Sequence, residues 1–379
     1  MIKVAIWGAG SIAKIHTDGF LPHHDRCEIA AVINHHADKA QKLIDEKGLH
    51  AVACTTLAET LSQTSLDMVS ICLPPAQHAQ AVIEAAEHGL HILVEKPMAN
   101  SLEECDRMIA AAEAHHVLLS CVCQLRFTNG IHKLRSLLRS GACGKLNYAV
   151  VNSMWWRGQQ YHDLVWRGTW EKEGGGVLMI QAIHDLDLTQ YLFGMPKQLT
   201  AVMANVDHDN SQCEDVVTAA LEYDGMFAQF SAAQVAHGEP REIHVYTQLG
   251  RLSVPWAPLS SRAMPNGFPE PNPEGVAQLE QLYATAPELA CENHAGQILN
   301  VLKAIAGEEA LVSDGQEGRK VVELVTAIYE SAAMRRTVTL PLHSSDPFYT
   351  AAGKTALLPH FHEKRRSSDF MADGEITLA

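Results

Sequence analysis

The first thirteen residues constrain the fold more than any other stretch. Residues 2–7 (IKVAIW) are apolar apart from Lys3, Gly8-Ala9-Gly10-Ser11-Ile12-Ala13 comes at once after them, and a helical pattern then runs to about Phe20. Gly8 permits a tight turn, Gly10 lets the backbone approach a bound group, and small Ala13 lets the helix lie close to the strand. The order strand, glycine turn, helix predicts a dinucleotide whose pyrophosphate sits at the helix N-terminus, where free N–H groups and the helix dipole favour anions. Gly8, Gly10, Ser11 and Ile12 are the candidate contacts.

The next hundred or so residues support that reading. Apolar runs alternate with amphipathic patterns: strand 28–34, helix 37–47, strand 68–73, a helix to residue 88, strand 91–94, helix 102–115 and strand 117–125. This alternation predicts a doubly wound parallel sheet, with ligands at the carboxyl ends of its strands. Those ends carry Asn34-His35-His36, Pro74 and His78, then Glu95-Lys96-Pro97, and lead on to Gln124 and Arg126. The second tip ordinarily separates NAD from NADP. Here no carboxylate repels a 2′-phosphate and no arginine recruits one, although Asn34 can bond a ribose hydroxyl, so NAD and NADP both stay open.

After a helix at 131–139 the pattern changes. Strand-like runs at 146–154, 199–206, 216–223, 226–234 and 242–249 are separated by turns such as Tyr223-Asp224-Gly225. They predict an α+β domain on a largely antiparallel open sheet. Its opening helix, 177–192, is launched from Gly174-Gly175-Gly176 and carries Gln181, His184 and Asp187 towards one side. The bland alternative is a buried helix whose His184 and Asp187 satisfy each other or nearby backbone. Residues 255–287 read as a long loop with one helical turn, then helices 292–305 and 315–335 and a strand at 338–342. The division expected is 1–125, 126–342, and a C-terminal extension, 343–379, ordered in part on another surface. No internal repeat is visible.

With 379 residues, 47% hydrophobic, the chain has the length for two cores. A formal net charge of −15 excludes a nucleic-acid partner, which would want a basic stripe. No run approaches membrane-spanning length and no signal peptide is visible. The nine cysteines lack paired spacing, which fits reduced thiols in the cytoplasm. Twenty-one histidines include no HExxH or structural zinc spacing, so no metal is expected.

These landmarks together resemble the Gfo/Idh/MocA family of NAD(P)-dependent oxidoreductases. The matching pieces are GAGSIA (8–13), CLPPAQH (72–78), EKP (95–97), QLRF (124–127), WRGTW (166–170), GGGVLMIQAIHDLD (174–187) and IYES (328–331), spanning about residues 1–342. The glycine loop alone is unspecific, whereas EKP at the fifth strand with the triple glycine and His184 beyond it is specific. The resemblance implies a Rossmann domain, then an α/β domain whose open sheet makes a homodimer or homotetramer, and hydride transfer at a carbinol carbon of a carbohydrate. By motif, Lys96 touches the substrate hydroxyl and the nicotinamide ribose, and His184 is its acid/base partner. Trp166 and Arg167 line the nicotinamide side, and Pro97 comes after a cis peptide. The sequence departs from the family pattern four residues before His184. The usual Asp or Asn is replaced by Ile180, so a hydrogen-bonding partner is missing or Gln181 replaces it.

The chemistry of the residues agrees. Removing a hydride from an alcohol requires taking its proton; a histidine titrating near neutrality suits that, and a lysine stabilises the developing oxyanion. Arg126, Tyr161 and Gln181 are the further candidates for substrate contact. Trp155, Trp156, Arg157 and Arg167 are shape-giving neighbours, each equally readable as filling at a domain junction. The set favours a sugar, sugar acid or polyol. Two other readings stand beside the dehydrogenase: a glycoside-cleaving enzyme that oxidises transiently and recycles its cofactor, and a non-catalytic cofactor-binding regulator.

Overall fold

A computed structural model describes residues 1–368. Strands β1 (Ile2–Trp7), β2 (Cys27–Ile33), β3 (Val52–Cys54), β4 (Met68–Ile71), β5 (His91–Val94) and β6 (Leu119–Cys121) form one sheet in the order β3-β2-β1-β4-β5-β6. Every pairing is parallel. Strands covered on both faces need continuous apolar runs, and β4 and most of β5 are buried throughout. Helices α1 (Ser11–Phe20), α2 (Ala37–Lys47), α3 (Leu57–Gln63), α4 (Pro75–Glu87) and α5 (Leu102–Ala114) make the crossovers. The strand order reverses between β1 and β4, which opens a crevice at their carboxyl ends.

Helix α6 (Asn129–Ser140) leads to β7 (Leu146–Met154), after which the short helix α7 (Val177–Ile180) and α8 (Ile183–Phe193) precede β8 (Gln198–Ala204), β9 (Val216–Tyr223), β10 (Met226–Ala233), β11 (Arg241–Thr247) and β12 (Arg251–Val254). The second sheet runs β12-β11-β7-β10-β9-β8, closed at its edge by Val338–Thr339. It is antiparallel except for the β7–β10 pair, as the turn-separated pattern predicts. One face packs on α8 and on a long C-terminal helix. The other stays open, with Tyr148 between Phe227 and Tyr246, ring centroids 6.4 and 5.9 Å away.

Three expectations need correction. The stretch 255–287 holds a small hairpin, β13 (Ser261–Ala263) with β14 (Pro269–Pro271), and a full helix, α9 (Pro273–Thr285). Asn272 caps that helix by accepting from Gly275 N, and Pro273 occupies its first turn, where the missing N–H costs nothing. The domain division is also less clean than 1–125 and 126–342. Helix α10 (Asn293–Ile305) lays Ile298, Val301 and Leu302 into the core of the first sheet beside Val4, Ile6 and Phe20, while α11 (Gly315–Met334) packs on both α5 and α8. The helix expected over 177–192 is broken between α7 and α8. The extension up to residue 368 is ordered on another surface, as expected, and that surface is its own chain's: α12 (Ala351–Leu357) buries Lys354, whose Nζ donates to the carbonyls of Asn100 (2.6 Å) and Gly174 (3.4 Å). The rest of that extension lies outside the described residues.

Candidate active site

The glycine turn sits at the crevice. Gly8 has φ +123°, and a Cβ there would run into the Cys72 carbonyl at the end of β4. A glycine is required on both counts. At Gly10 a Cβ would meet nothing within 4 Å, so open space lies above the turn. Gly10 caps α1 without a side-chain bond and no acidic residue occupies the helix's first turn, leaving the N–H groups around Ser11 and Ile12 for an anion. These residues fit a pyrophosphate. At the tip of β2, Asn34 Oδ1 accepts from His36 N (2.9 Å), and the His35 and His36 rings lie 4.1 Å apart. Pro74 caps α4 at the end of β4.

Glu95 is buried beneath this loop. Its Oε1 meets His16 Nε2 at 2.8 Å, and His16 Nδ1 meets Ser70 Oγ at 2.7 Å. Against the desolvation of full burial, Cys72 and Glu95 raise His16 to about 10. Despite its own burial, Glu95 is held down to about 2 by His16 and Lys96. The pair is therefore charged, a fixed dipole under the crevice. His16, Glu95 and His294 are the one group among the described residues with three potential metal-ligating atoms within 4.8 Å, and both His16 nitrogens already have partners.

Lys96 and His184 line one small cavity with Met98, Cys121, Cys123 and Ile183. Lys96 precedes Pro97 across a cis peptide. Its Nζ donates to the Ile180 carbonyl at 2.9 Å. That carbonyl is free because the helix breaks: Ala182 N bonds back to Val177 O (2.9 Å), and His184 N, the regular helical donor to Ile180, turns to Gln181 O at 3.5 Å. A backbone oxygen thus holds the lysine where the family pattern has an Asp or Asn side chain nearby. Burial lowers the Lys96 pKa, Glu95 opposes this, and Arg167 adds to it. His184 is held well below its ordinary value by burial and then by the Lys96 charge, so its imidazole is neutral at physiological pH. Asp187 is taken by Arg126, so the mutual pairing that the bland reading offered as one option is not formed.

A second network is rooted in the stretch after β7, where the substrate contacts were expected. Gln181 Nε2 donates to Tyr161 Oη (2.8 Å), and Gln181 Oε1 accepts from Gln234 Nε2 (2.8 Å). Both ends of Gln181 are committed there, so it does not stand in beside His184. The Arg167 guanidinium lies 3.9 Å from the Tyr161 ring centroid and 4.1 Å from that of Trp166, and its Nη1 bonds Glu173 Oε1 at 2.8 Å. Arg241 reaches Asp185 at 3.0 Å and lies over Trp155.

Two assigned residues do other work. Arg126, expected to touch substrate, is buried. It bonds Asp187 through Nε and Nη2 (2.6–3.0 Å) and Glu317 and the Val312 carbonyl through Nη1 (each 2.9 Å). Every guanidinium nitrogen is used in joining α8 to α11, an arrangement suited to a clasp. His78, expected at the cofactor, spends its ring nitrogens on the carbonyls of Pro97 (2.9 Å) and Leu73 (2.8 Å) and so braces the lysine loop. Sequence reasoning missed His16, Glu173 and Gln234. Of these only His16 carried a signal, a polar residue on the inward face of the helix opened by the glycine turn.

The fold and site define a two-domain dinucleotide-binding protein with a lysine and a neutral histidine at the carboxyl edge of its parallel sheet. Residues 2–122 match the oxidoreductase family, NAD-binding Rossmann fold, and residues 131–253 match the GFO/IDH/MocA C-terminal domain. The chain belongs to the Gfo/Idh/MocA oxidoreductase family. It is similar to an uncharacterized oxidoreductase of Streptococcus pneumoniae (30% identity over 216 residues, 57% of each chain) and to the 2,7-anhydro-N-acetylneuraminate hydratase of Mediterraneibacter gnavus (32% over 162 residues, 42% of each). These matches span about half the length of the two relatives. The WlbA dehydrogenase from Bordetella pertussis, solved with NADH and UDP-GlcNAcA, superposes with a TM-score of 0.77 at 27% identity, covering 90% of this chain and 99% of that one. No helix of the described residues is long and apolar enough to cross a membrane.

Proposed function

We propose that this protein transfers a hydride between NAD(P) and a hydroxyl-bearing carbon of a sugar or sugar acid. The observation that carries this is the convergence of Lys96 and a neutral His184 on one cavity beside Glu95. When bound, the nicotinamide supplies the hydride acceptor or donor. Lys96, with its pKa lowered and its Nζ aimed by the Ile180 carbonyl, bonds the substrate oxygen and stabilises alkoxide character as the C–H bond weakens. The His184 imidazole, without a hydrogen bond to the described residues, is able to take the proton.

A carboxylated sugar is the preferred substrate class. Arg167, paired with Glu173, and Arg241, paired with Asp185, are the guanidinium groups whose charge reaches Lys96 and His184. The ligands named for WlbA and for the hydratase are both sugar acids. The test tracks cofactor absorbance while the protein meets NAD⁺ or NADP⁺ and a panel of sugars, uronates and polyols. Reduced cofactor is expected with an acidic sugar, and Lys96→Met should lower kcat by about 10²–10⁴-fold while cofactor binding persists. Equal turnover in Lys96→Met would remove the mechanism.

The hydratase relative favours a second reading. Transient oxidation acidifies the proton on the neighbouring carbon, which permits elimination or its reverse with the cofactor restored. Product formation from an acidic sugar without net reduced cofactor would select it.

The open sheet face supports a homodimer or homotetramer. Phe227, Tyr148 and Tyr246 lie side by side on it, with Phe227 and Tyr246 exposed, an aromatic row that a monomer would leave wet. Light scattering at micromolar concentration should give a multiple of the chain mass, and Phe227→Lys should lower it.

A further inference from the structure

The stretch between β7 and α7 carries Tyr161, Trp166 and Arg167, yet it holds only turns and a short 3₁₀ segment, Gln159–Asp163. Such a stretch takes its position from whatever packs on it. What packs on it is the end of the same chain. The Lys364 ammonium donates to the carbonyls of His162 and of Leu164 (2.8 Å), capping two backbone oxygens that flank Asp163. Ser368 and Leu164 form a parallel β-bridge, through Ser368 N to Asp163 O (2.6 Å) and Val165 N to Ser368 O (3.1 Å). Arg366 spans Asp163 (3.2 Å) and Asp209 (2.7 Å). Asn210 Oδ1 accepts from the N–H groups of Arg365 and Arg366, while its Nδ2 donates to Asp163 and to Arg366 O. Trp170 Nε1 donates to Pro359 O at 3.0 Å. The extension therefore ties the Tyr161–Arg167 stretch to the turn between β8 and β9. Neither family match reaches past residue 253, and the fit to WlbA leaves about a tenth of this chain without a counterpart.

We propose that residues 359–368 are a strap that sets the position of the substrate stretch, with Lys364 its principal positioning residue. Lys364 touches neither cofactor crevice nor substrate pocket; it acts through the carbonyls on either side of Asp163, one residue beyond Tyr161 and three before Arg167. The strap thereby determines how tightly the sugar is held while leaving the hydride step to Lys96. Only the kinetic half of the proposal rests on the hydride-transfer reading.

The test compares the full-length protein with Lys364→Met and Lys364→Arg by hydrogen exchange and steady-state kinetics. Lys364→Met should speed exchange across residues 159–173 by about tenfold, the loss of charge-assisted bonds to two carbonyls, with the first sheet unchanged. It should raise KM for the sugar with kcat and cofactor affinity retained, and Lys364→Arg should restore both. Arg366→Gln, at the exposed rim of the same seam, should give a weaker version and guards against a Lys364→Met protein that does not fold. Unchanged exchange at 159–173 in both Lys364→Met and Arg366→Gln would overturn the strap. Faster exchange with KM unaltered would overturn its role in substrate binding. If no sugar is turned over at all, the exchange result still decides the strap, and the failure falls on the hydride-transfer reading alone.

Discussion

Lys96 and His184 show what a motif discloses and what it hides. Both were legible because a lysine at the end of a parallel strand and a histidine below a triple glycine have a chemical use there. The group that aims Lys96 was not legible, since the Ile180 carbonyl is exposed to it only by a break in the helix that no side chain announces. Arg126 and His78 were misread for the opposite reason: hydrogen-bonding residues beside a site are as often its bracing as its contacts. Restoring a carboxylate tests the arrangement. Ile180→Asp places an anion next to a lysine now held by a neutral oxygen. It should raise the Lys96 pKa and, because the protonated lysine is what stabilises the alkoxide, move the falling limb of alcohol oxidation to higher pH. A pH–rate profile identical to wild type would show that position 180 does not communicate with Lys96.

Among the elements, the broken α7–α8 unit is the one on which the site depends. The triple glycine exists for contact as much as for flexibility: a Cβ on Gly176 would strike the Glu214 carbonyl, and Glu214 accepts from Gly176 N (3.1 Å), Leu178 N (3.0 Å) and Tyr329 Oη (2.9 Å). A carboxylate borrowed from the β8–β9 connection thus serves as the helix cap. Gly176→Ala should cost about 1–3 kcal/mol or more by overpacking, measured by urea unfolding. It should also lower kcat, because the Ile180 carbonyl moves with the helix. Strands β7 to β11 were read to within about two residues, whereas β6 was drawn up to four residues too long and the short β3 and β12 were not read at all. The helix α9 was obscured by its Pro- and Asn-rich approach, although Asn272-Pro273 is itself a start signal. That α10 crosses back onto the first sheet was not legible, because it is remote in sequence from the sheet it covers and no local pattern reports that.

For the molecule as a whole, buried histidines set the response to acid. Burial, together with neighbouring positive charge, holds His162 down to about 3 and His294 down to about 4. The unfolded chain binds protons at these residues from about pH 6.5 downwards. Their contribution is therefore complete above that pH and is lost as pH falls towards 4 and 3. His16 has the opposite sign: raised to about 10, it contributes fully below pH 6.5 and less as pH climbs to 10, so it does not produce the acid loss. Urea midpoints should fall from pH 7 to pH 5, and His162→Gln should flatten that fall.

The seam between the extension and the substrate stretch also has a consequence in time. A chain is made from its amino end, and domains fold as they emerge. The glycine turn, its parallel strands and α10, whose residues complete their core, all precede the strap, α10 by more than fifty positions. The nucleotide crevice can therefore be assembled while the Tyr161–Arg167 stretch still lacks its fastening. A product shortened before residue 359 should accordingly remain a competent nucleotide binder in which that stretch is held less firmly.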